Sequence, residues 1–194
     1  MVREIVTYGD PVLRGKCRSV VEPAAELESL AADMVETMRV AGGVGLAAPQ
    51  IGVPIQLAVV DVSHDPACVS YLRVDGAPAR LADWMPLVFT NPSLAFGDAR
   101  ESDDEGCLSI PEVKAAVARP ADLRARLRLL DGREIVLEAD GLLARVIQHE
   151  TDHLHGILFI DRISTAAKVR LRGTLKRMLA EPGPKRYLPS ADKD

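Results

Sequence analysis

The pattern of apolar and polar positions predicts three helices, one near the start of the chain and two in its last third. In segment 22–43, leucine and methionine recur every three or four residues, at Leu27, Leu30, Met34 and Met38. This spacing places the four side chains on one helix face, and the glycine pair that closes the segment is typical of a helix end. Further helices are predicted from Gly141 to about His155 and from Ser164 to about Ala180.

Between these helices, apolar residues alternate with polar ones or form short runs, as in β-strands. The clearest case is segment 122–140, in which leucine and alanine alternate with charged residues on both sides of Asp131-Gly132. This pattern predicts a β-hairpin. Segment 43–54, which is punctuated by glycine and proline, is predicted to be a loop. Shorter strands, some of them broken by prolines, are predicted at 56–62, 87–96, 107–120 and 157–161.

These elements predict a single α+β domain spanning residues 1–180. We expect largely antiparallel, short-stranded sheets around a central helix that begins at Gly141, with an N-terminal helix and a C-terminal helix at the two ends. Turn-forming residues interrupt 64–86, which is therefore predicted to be a surface insertion. Residues 181–194 are predicted to be a flexible tail.

Composition narrows the class of protein only moderately. The chain has 194 residues, of which 47% are hydrophobic, so one domain can bury a core. Its net charge of −4 gives no chain-wide argument for binding nucleic acid or membrane. Three widely spaced cysteines do not suggest a disulfide framework, and no run of 18 apolar residues occurs. We expect a cytoplasmic protein that binds neither DNA nor a membrane.

The candidate chemistry lies in the helix that begins at Gly141. His149-Glu150-Thr151-Asp152-His153 fits the HExxH pattern, in which two histidines bind a divalent metal and the glutamate moves a proton. Residues four apart on a helix are separated by about 6 Å along its axis and share one face, so both imidazoles can reach one ion. The alternative is an ordinary helix in which two histidines happen to share a face.

The third protein ligand has to come from outside this motif. The position that is histidine in metzincins is Phe159, Glu181 lies beside a proline at the end of a helix, and His155 points away from the shared face. Cys107 remains, in the sequence EGCLS, where Gly106 allows close approach of the backbone. A thiolate with two imidazoles is a good ligand set for a transition metal.

Going back along the same helix, Val146 and Leu142 extend the face that carries His149. An apolar stripe of this kind is suited to be the wall of a side-chain pocket beside the metal, and equally to be part of the core. Methionine would fit such a pocket because its side chain is unbranched, flexible and polarizable.

Three segments together resemble the signature motifs of the peptide deformylases, most closely those of the bacterial type I enzymes. They are GVGLAAPQ at 43–50, EGCLS at 105–109 and QHETDH at 148–153. Members of this family remove the formyl group from the N-terminal formyl-methionine of new polypeptides. The resemblance implies that Cys107, His149 and His153 are metal ligands and that Glu150 is the catalytic acid and base.

The resemblance also implies roles for residues outside the ligand set. Gln50 and the backbone N–H of Leu108 would stabilise the oxyanion. Gly43 and Gly45 would let the loop approach an extended peptide. The alternative is that these glycines only end the preceding helix and form a turn. Val44 could contact substrate or core.

The resemblance further implies the cofactor and the substrate, whereas a macromolecular partner is suggested only by the charge of the C-terminal helix, for which a solvated face is the alternative. Ferrous iron is the expected metal, with zinc, nickel or cobalt as substitutes, and N-formyl-methionyl peptides are the expected substrates. The basic C-terminal helix is expected to contact the ribosome. Two other functions remain open on the sequence: a generic HExxH zinc metallopeptidase, and a non-catalytic metal-binding module that docks on RNA.

Overall fold

The computed structural model describes residues 1–21, 25–65, 68–181 and 185–190. Its α-helices are α1 (Ala25–Val40), α2 (Gly141–Leu154), α3 (Phe159–Arg162) and α4 (Thr165–Ala180). Its strands are β1 (Ile5–Val6), β2 (Gly45–Ala47), β3 (Leu57–Val60), β4 (Leu72–Val74), β5 (Ala77–Pro78), β6 (Leu87–Phe96), β7 (Arg100–Cys107), β8 (Ile110–Pro120), β9 (Asp122–Arg128), β10 (Glu134–Asp140) and β11 (Arg186–Tyr187). Mixed α and β structure with antiparallel sheets is as predicted.

The strands form one large sheet and two small ones, and the pairs within them are antiparallel. The seven-stranded sheet has the order β2-β3-β6-β9-β10-β4-β5, while β7 pairs with β8 and β1 pairs with β11. The predicted hairpin is confirmed as β9 and β10, with Leu127 opposite Ile135 and Ala125 opposite Leu137. These four side chains are buried in the main core, which explains the alternation seen in the sequence.

Helix α2 packs against the large sheet through contacts with β2, β3, β9 and β10. From the sequence, Asp140 is expected to cap this helix, because aspartate is common at the position before a helix; the structure places it there, but its side chain makes no capping hydrogen bond. Its Oδ1 atom instead accepts hydrogen bonds from the backbone N–H groups of Ser70 and Tyr71. Gly141 follows with φ +55°, and a Cβ there would lie 2.0 Å from the carbonyl oxygen of Cys68. The start of α2 is therefore fastened to the segment before β4.

Two predicted irregular segments contain regular structure. The predicted loop 43–54 includes β2 and a 3-10 helix, Ala48–Ile51. The predicted surface insertion 64–86 provides β4 and β5, and β4 pairs with β10 at the far side of the large sheet. Leu72 and Val74 are buried, so this part of the segment belongs to the core. The strands β4 and β5 were not predicted because they are very short and lie among turn-forming residues.

Two predictions of strand structure are also corrected. Pro92 and Pro111 do not break their segments, because β6 and β8 run through them, β6 with a register shift between Thr90 and Ser93. The predicted strand at 157–161 is wrong, since residues from Phe159 onward form α3. The Asp161 carboxylate accepts a hydrogen bond from the backbone N–H of Leu158, which stabilises a helical turn.

The C-terminal part of the chain is anchored rather than free where it is described. The predicted helix from Ser164 is confirmed as α4, which begins at Thr165; Ser164 caps it, because its Oγ atom accepts a hydrogen bond from the N–H of Ala167. After α4, Arg186 and Tyr187 pair with Val6 and Ile5. The predicted flexible tail thus contains a two-residue strand, β11; residues 182–184 and 191–194 lie outside the described residues. Within the described chain, no helix is long and apolar enough to cross a membrane.

Candidate metal centre

The structure brings Cys107, His149 and His153 together. Cys107 ends β7, and the two histidines lie one turn apart on α2. One ligand atom from each of the three residues lies within 4.8 Å of the others, and Cys107 Sγ is 3.3 Å from His153 Nε2. The histidine rings are 5.0 Å apart between centroids, at 69°. Within the described chain, this is the one group of three such residues that could hold a metal ion.

Glu105 orients the first histidine. Its Oε2 atom lies 3.0 Å from His149 Nδ1, and an ionised carboxylate can only accept a hydrogen bond, so Nδ1 carries a proton and Nε2 is the nitrogen that would bind an ion. Burial opposes ionisation of Glu105, but hydrogen bonds from His149 and Arg119 and their charges lower its pKa to about 2. The carboxylate therefore stays charged at neutral pH.

A buried network of ion pairs holds Glu105 in place and extends behind α2. Arg119, which is 3% exposed, donates to both carboxylate oxygens of Glu105 at 2.6 and 2.9 Å and to Asp152 at 2.8 Å. Arg145 donates to Glu105 at 2.8 Å, and Arg162 pairs with Asp152. The ion pair of Arg119 with Asp152 was not predicted from the sequence, because it depends on how β8 lies against α2.

Glu150 lies in the same buried region. Burial is the main cause that raises its pKa, to about 7. Its Oε2 atom has no hydrogen-bond partner among the described residues. A Cβ at Gly45 would lie 2.4 Å from Glu150 Oε1 and 2.8 Å from Val146 Cγ1. Because Gly45 has no Cβ, there is room beside it for the carboxylate of Glu150. This role of Gly45 was not predicted from the sequence.

Gln50 and the turn after Cys107 lie beside the ligand group. Gln50 Nε2 donates to Ser109 Oγ at 3.2 Å and faces Cys107 Sγ at 3.5 Å. Its Oε1 atom accepts from the N–H of Ala47 at 2.8 Å, which fixes the amide orientation. Leu108 packs its side chain over Gly43, where a Cβ would lie 2.8 Å from Leu108 Cδ1. Both oxyanion candidates therefore border the same site.

The other residues that were predicted to bind substrate differ in how deeply they are buried. Val146 is buried in the main core, against which Leu142 and Val44 pack while partly exposed. Gly106 is exposed, and a Cβ there would lie 3.4 Å from Lys114 Cγ. The apolar stripe of α2 is thus core at Val146 and accessible at Leu142.

The three residues that were rejected as ligands are not part of the ligand group. The ring of Phe159 stacks on His149 with 6.3 Å between centroids, so this position buttresses the site. His155 is exposed, and its Nδ1 atom faces the carbonyl oxygen of Thr151 at 2.8 Å. Glu181 is exposed at the end of α4.

The donor group fits a divalent metal. His153 Nδ1 is buried and has no hydrogen-bond partner among the described residues. Burial and the positive charges of His149 and Arg119 hold the pKa of His153 well below its usual range, so its ring is neutral, as a ligand must be. Three protein ligands leave a further position of the ion for water, and a buried glutamate beside them can move a proton, which is the arrangement of a metal-dependent hydrolase.

Comparison with known proteins gives the family within this class. The family model of polypeptide deformylases matches residues 2–169, and the chain belongs to this family. A peptide deformylase of Clostridium botulinum is 45% identical over 161 residues, 83% of this chain and 96% of the relative. One of Opitutus terrae is 41% identical over 182 residues, 92% of this chain and 93% of the relative.

Solved structures agree with this assignment. The crystal structure of the peptide deformylase from Thermotoga maritima has a TM-score of 0.72 and 34% identity, covering 84% of this chain and 99% of that one. A peptide deformylase from Synechococcus elongatus in complex with actinonin has a TM-score of 0.74 and 37% identity, covering 89% of this chain and 84% of that one.

Proposed function

We propose that the chain removes the N-formyl group from the N-terminal formyl-methionine of nascent polypeptides and releases formate. The observation that carries the proposal is the convergence of Cys107 with His149 and His153 next to the buried carboxylate of Glu150. Family membership supplies the reaction, and this convergence supplies a site that can perform it. We further propose α2 as the central element around which the sheets are arranged.

Cys107, His149 and His153 would hold one divalent metal ion, and we propose ferrous iron, with zinc, nickel or cobalt as substitutes. When bound, the ion supplies Lewis-acid polarisation and activates water. Glu105 supports the set, since its hydrogen bond fixes the tautomer of His149. The thiolate neutralises one of the two charges of the ion, so the site does not need a carboxylate ligand.

Glu150 would move the proton in this reaction. With a pKa raised by burial to about 7, it is close to half ionised at neutral pH, so it can accept a proton from water and return it to the departing amine. Its free Oε2 atom leaves one carboxylate oxygen available for that transfer.

Gln50 and the backbone N–H of Leu108 would stabilise the negative charge that develops on the formyl oxygen. The side chain of Gln50 is 1% exposed and held at both ends, by Ala47 and by Ser109, so its amide is already oriented. Donors fixed in this way cost no reorganisation during the reaction.

The substrate would lie along the Gly43–Gly45 segment, with Val44 and Gly106 at its sides and its methionine side chain against Leu142 and Val146. The family assignment defines N-formyl-methionyl peptides as the substrate class. We place the protein in the cytoplasm, where nascent chains are made, and include neither DNA nor a membrane among its partners.

A ribosome contact through α4 completes the proposal. Five cationic side chains on this helix are exposed: Lys168, Arg170, Arg172, Lys176 and Arg177. Three of them, Lys168, Arg172 and Lys176, are four residues apart and share one side of the helix, and cations on one side attract the phosphates of ribosomal RNA. Co-sedimentation with ribosomes at rising salt tests it: binding should weaken steeply in the wild type, and salt-independent binding would contradict an electrostatic contact.

One assay separates the proposed activity from general proteolysis. The metal-loaded chain is incubated with a formyl-methionyl peptide, and both formate and peptide fragments are measured. We expect formate release without cleavage of internal peptide bonds, and loss of formate release in Glu150→Gln. Internal fragments without formate would instead indicate a metallopeptidase.

A further inference from the structure

The segment after α4 returns to the site that the proposed function uses. Tyr187 lies in β11 opposite Ile5, and the backbone N–H of Thr7 donates to the carbonyl oxygen of Lys185 at 2.7 Å. Both side chains of β1 are completely buried. Lys185 also donates through Nζ to the carbonyl oxygens of Met178 and Glu181. The segment is thus fixed at its backbone and by a side chain.

The Tyr187 side chain reaches from this strand to the turn that follows Cys107. Its hydroxyl donates to the carbonyl oxygen of Leu108 at 3.1 Å. Burial is the main cause that raises the pKa of Tyr187, so the hydroxyl stays protonated and can donate this hydrogen bond. This hydrogen bond therefore connects β11 to the residue that follows the proposed ligand Cys107.

The turn between β7 and β8 is held on several sides. The N–H of Tyr8 donates to the carbonyl oxygen of Ser109 at 2.8 Å, and Gln50 donates to the hydroxyl of Ser109. The next residue, Ile110, is completely buried. Tyr187 supplies the anchor at the carbonyl group of Leu108, which is the residue whose N–H is the oxyanion candidate.

A fixed carbonyl group restricts the neighbouring N–H. Peptide units are planar, so the two units on either side of Leu108 are joined by only two rotatable backbone bonds. Cys107 holds the unit before Leu108 through the β7–β8 pair, and Tyr187 holds the unit after it. The direction of the Leu108 N–H is then determined from both sides.

We propose that Tyr187 is a positioning residue for the deformylation reaction, which orients the oxyanion-binding N–H of Leu108 through the Leu108 carbonyl group. This inference rests on the proposed function. It gives the segment after α4 a role at the site.

The test compares Tyr187→Phe with Tyr71→Phe, a matched loss of one hydroxyl from a tyrosine that is 41% exposed. In cobalt-loaded protein we expect kcat for a formyl-methionyl peptide to fall about three- to tenfold in Tyr187→Phe, the range of one neutral hydrogen bond. KM, cobalt content and the cobalt–thiolate absorption should stay unchanged, because Tyr187 is not among the proposed metal ligands or substrate-binding residues and its hydroxyl donates to the Leu108 carbonyl group. Tyr71→Phe should equal the wild type.

Amide hydrogen exchange in the metal-free protein gives a readout that does not depend on activity. The peptide covering 107–110 should exchange faster in Tyr187→Phe than in Tyr71→Phe. An unchanged kcat, unchanged exchange, or a fall in kcat that tracks lost cobalt would overturn the positioning role. Failure of the wild type to release formate would refute the proposed function instead, and exchange alone would then show whether Tyr187 holds the turn.

Discussion

At the scale of single residues, a few contacts make up the candidate site, and only some of them could be predicted from the sequence. The HExxH spacing and the context of Cys107 were enough to predict the ligand group, because helix geometry fixes where two histidines four apart must point. The roles of Arg119 and Asp152 were not predictable, since no local pattern shows that a strand residue will reach across to a helix. Gly45 was singled out for approach to a peptide, while the structure shows Glu150 beside it.

Replacing Cys107 by serine should remove most of the bound metal. A neutral hydroxyl is a far weaker ligand than a thiolate, and only two histidines would remain. Metal content per chain after gel filtration measures the effect. Cys68→Ser, which alters an exposed cysteine, should keep full metal content. Equal metal content in the two variants would remove Cys107 from the ligand set.

Gly45→Ala should lower turnover by about 10²-fold or more while the metal stays bound. The added methyl group would lie 2.4 Å from Glu150 Oε1, so the carboxylate has to move from the position that proton transfer requires. Gly173→Ala is the control, because a Cβ there meets nothing within 4 Å and alanine favours the helix. Undiminished kcat in Gly45→Ala would show that Glu150 acts from another position.

At the scale of elements, the long and strongly patterned segments were predictable and the short ones were not. The β9–β10 hairpin and helices α1 and α4 follow from periodicity. The apolar run at 157–161 is too short for periodicity to separate strand from helix, and a single carboxylate, that of Asp161, decides for α3. The strands β4 and β5 have three and two residues, and they form by pairing with neighbours distant in sequence or across a turn, β4 with β10 and β5 with β4.

The ion-pair network between β7, β8 and α2 should be essential for stability. Arg119→Ala would leave the buried carboxylates of Glu105 and Asp152 without their shared partner. Breaking a buried pair in this way costs about 3–5 kcal/mol in the free energy of unfolding. Urea denaturation of the metal-free protein measures it, with the exposed pair of Arg80 and Asp83 as the comparison. Arg80→Ala should cost at most about 1 kcal/mol, and equal losses would contradict the network.

The accessible end of the α2 stripe should determine the fit of the first side chain. Leu142→Ala removes contact area from the proposed methionine pocket, so KM should rise more for a formyl-methionyl than for a formyl-alanyl peptide. The difference should lie within about 1–3 kcal/mol. Leu129→Ala, another partly buried leucine on the same core, is the control. If both substrates are affected equally, Leu142 is core packing and the pocket lies elsewhere.

At the scale of the whole molecule, the fold joins two small sheets and one large sheet at a single site. Helix α2 carries two of the proposed ligands and the glutamate, β7 brings the cysteine, and the segment before β3 brings Gln50. The α+β class was predictable from the order of elements. The return of the C-terminal segment to β1 was not, because a two-residue strand after a Pro- and Gly-containing stretch has no sequence pattern of its own.

The central claim is that one divalent ion, held by Cys107, His149 and His153, enables this chain to release formate. Anaerobic titration of the metal-free protein with ferrous iron, with formate release from a formyl-methionyl peptide as the readout, tests it most directly. We expect formate release to rise linearly until one iron is bound per chain and then to stay constant. In Cys107→Ser we expect no rise. Activity that is independent of iron, or a Cys107→Ser titration that matches the wild type, would contradict it.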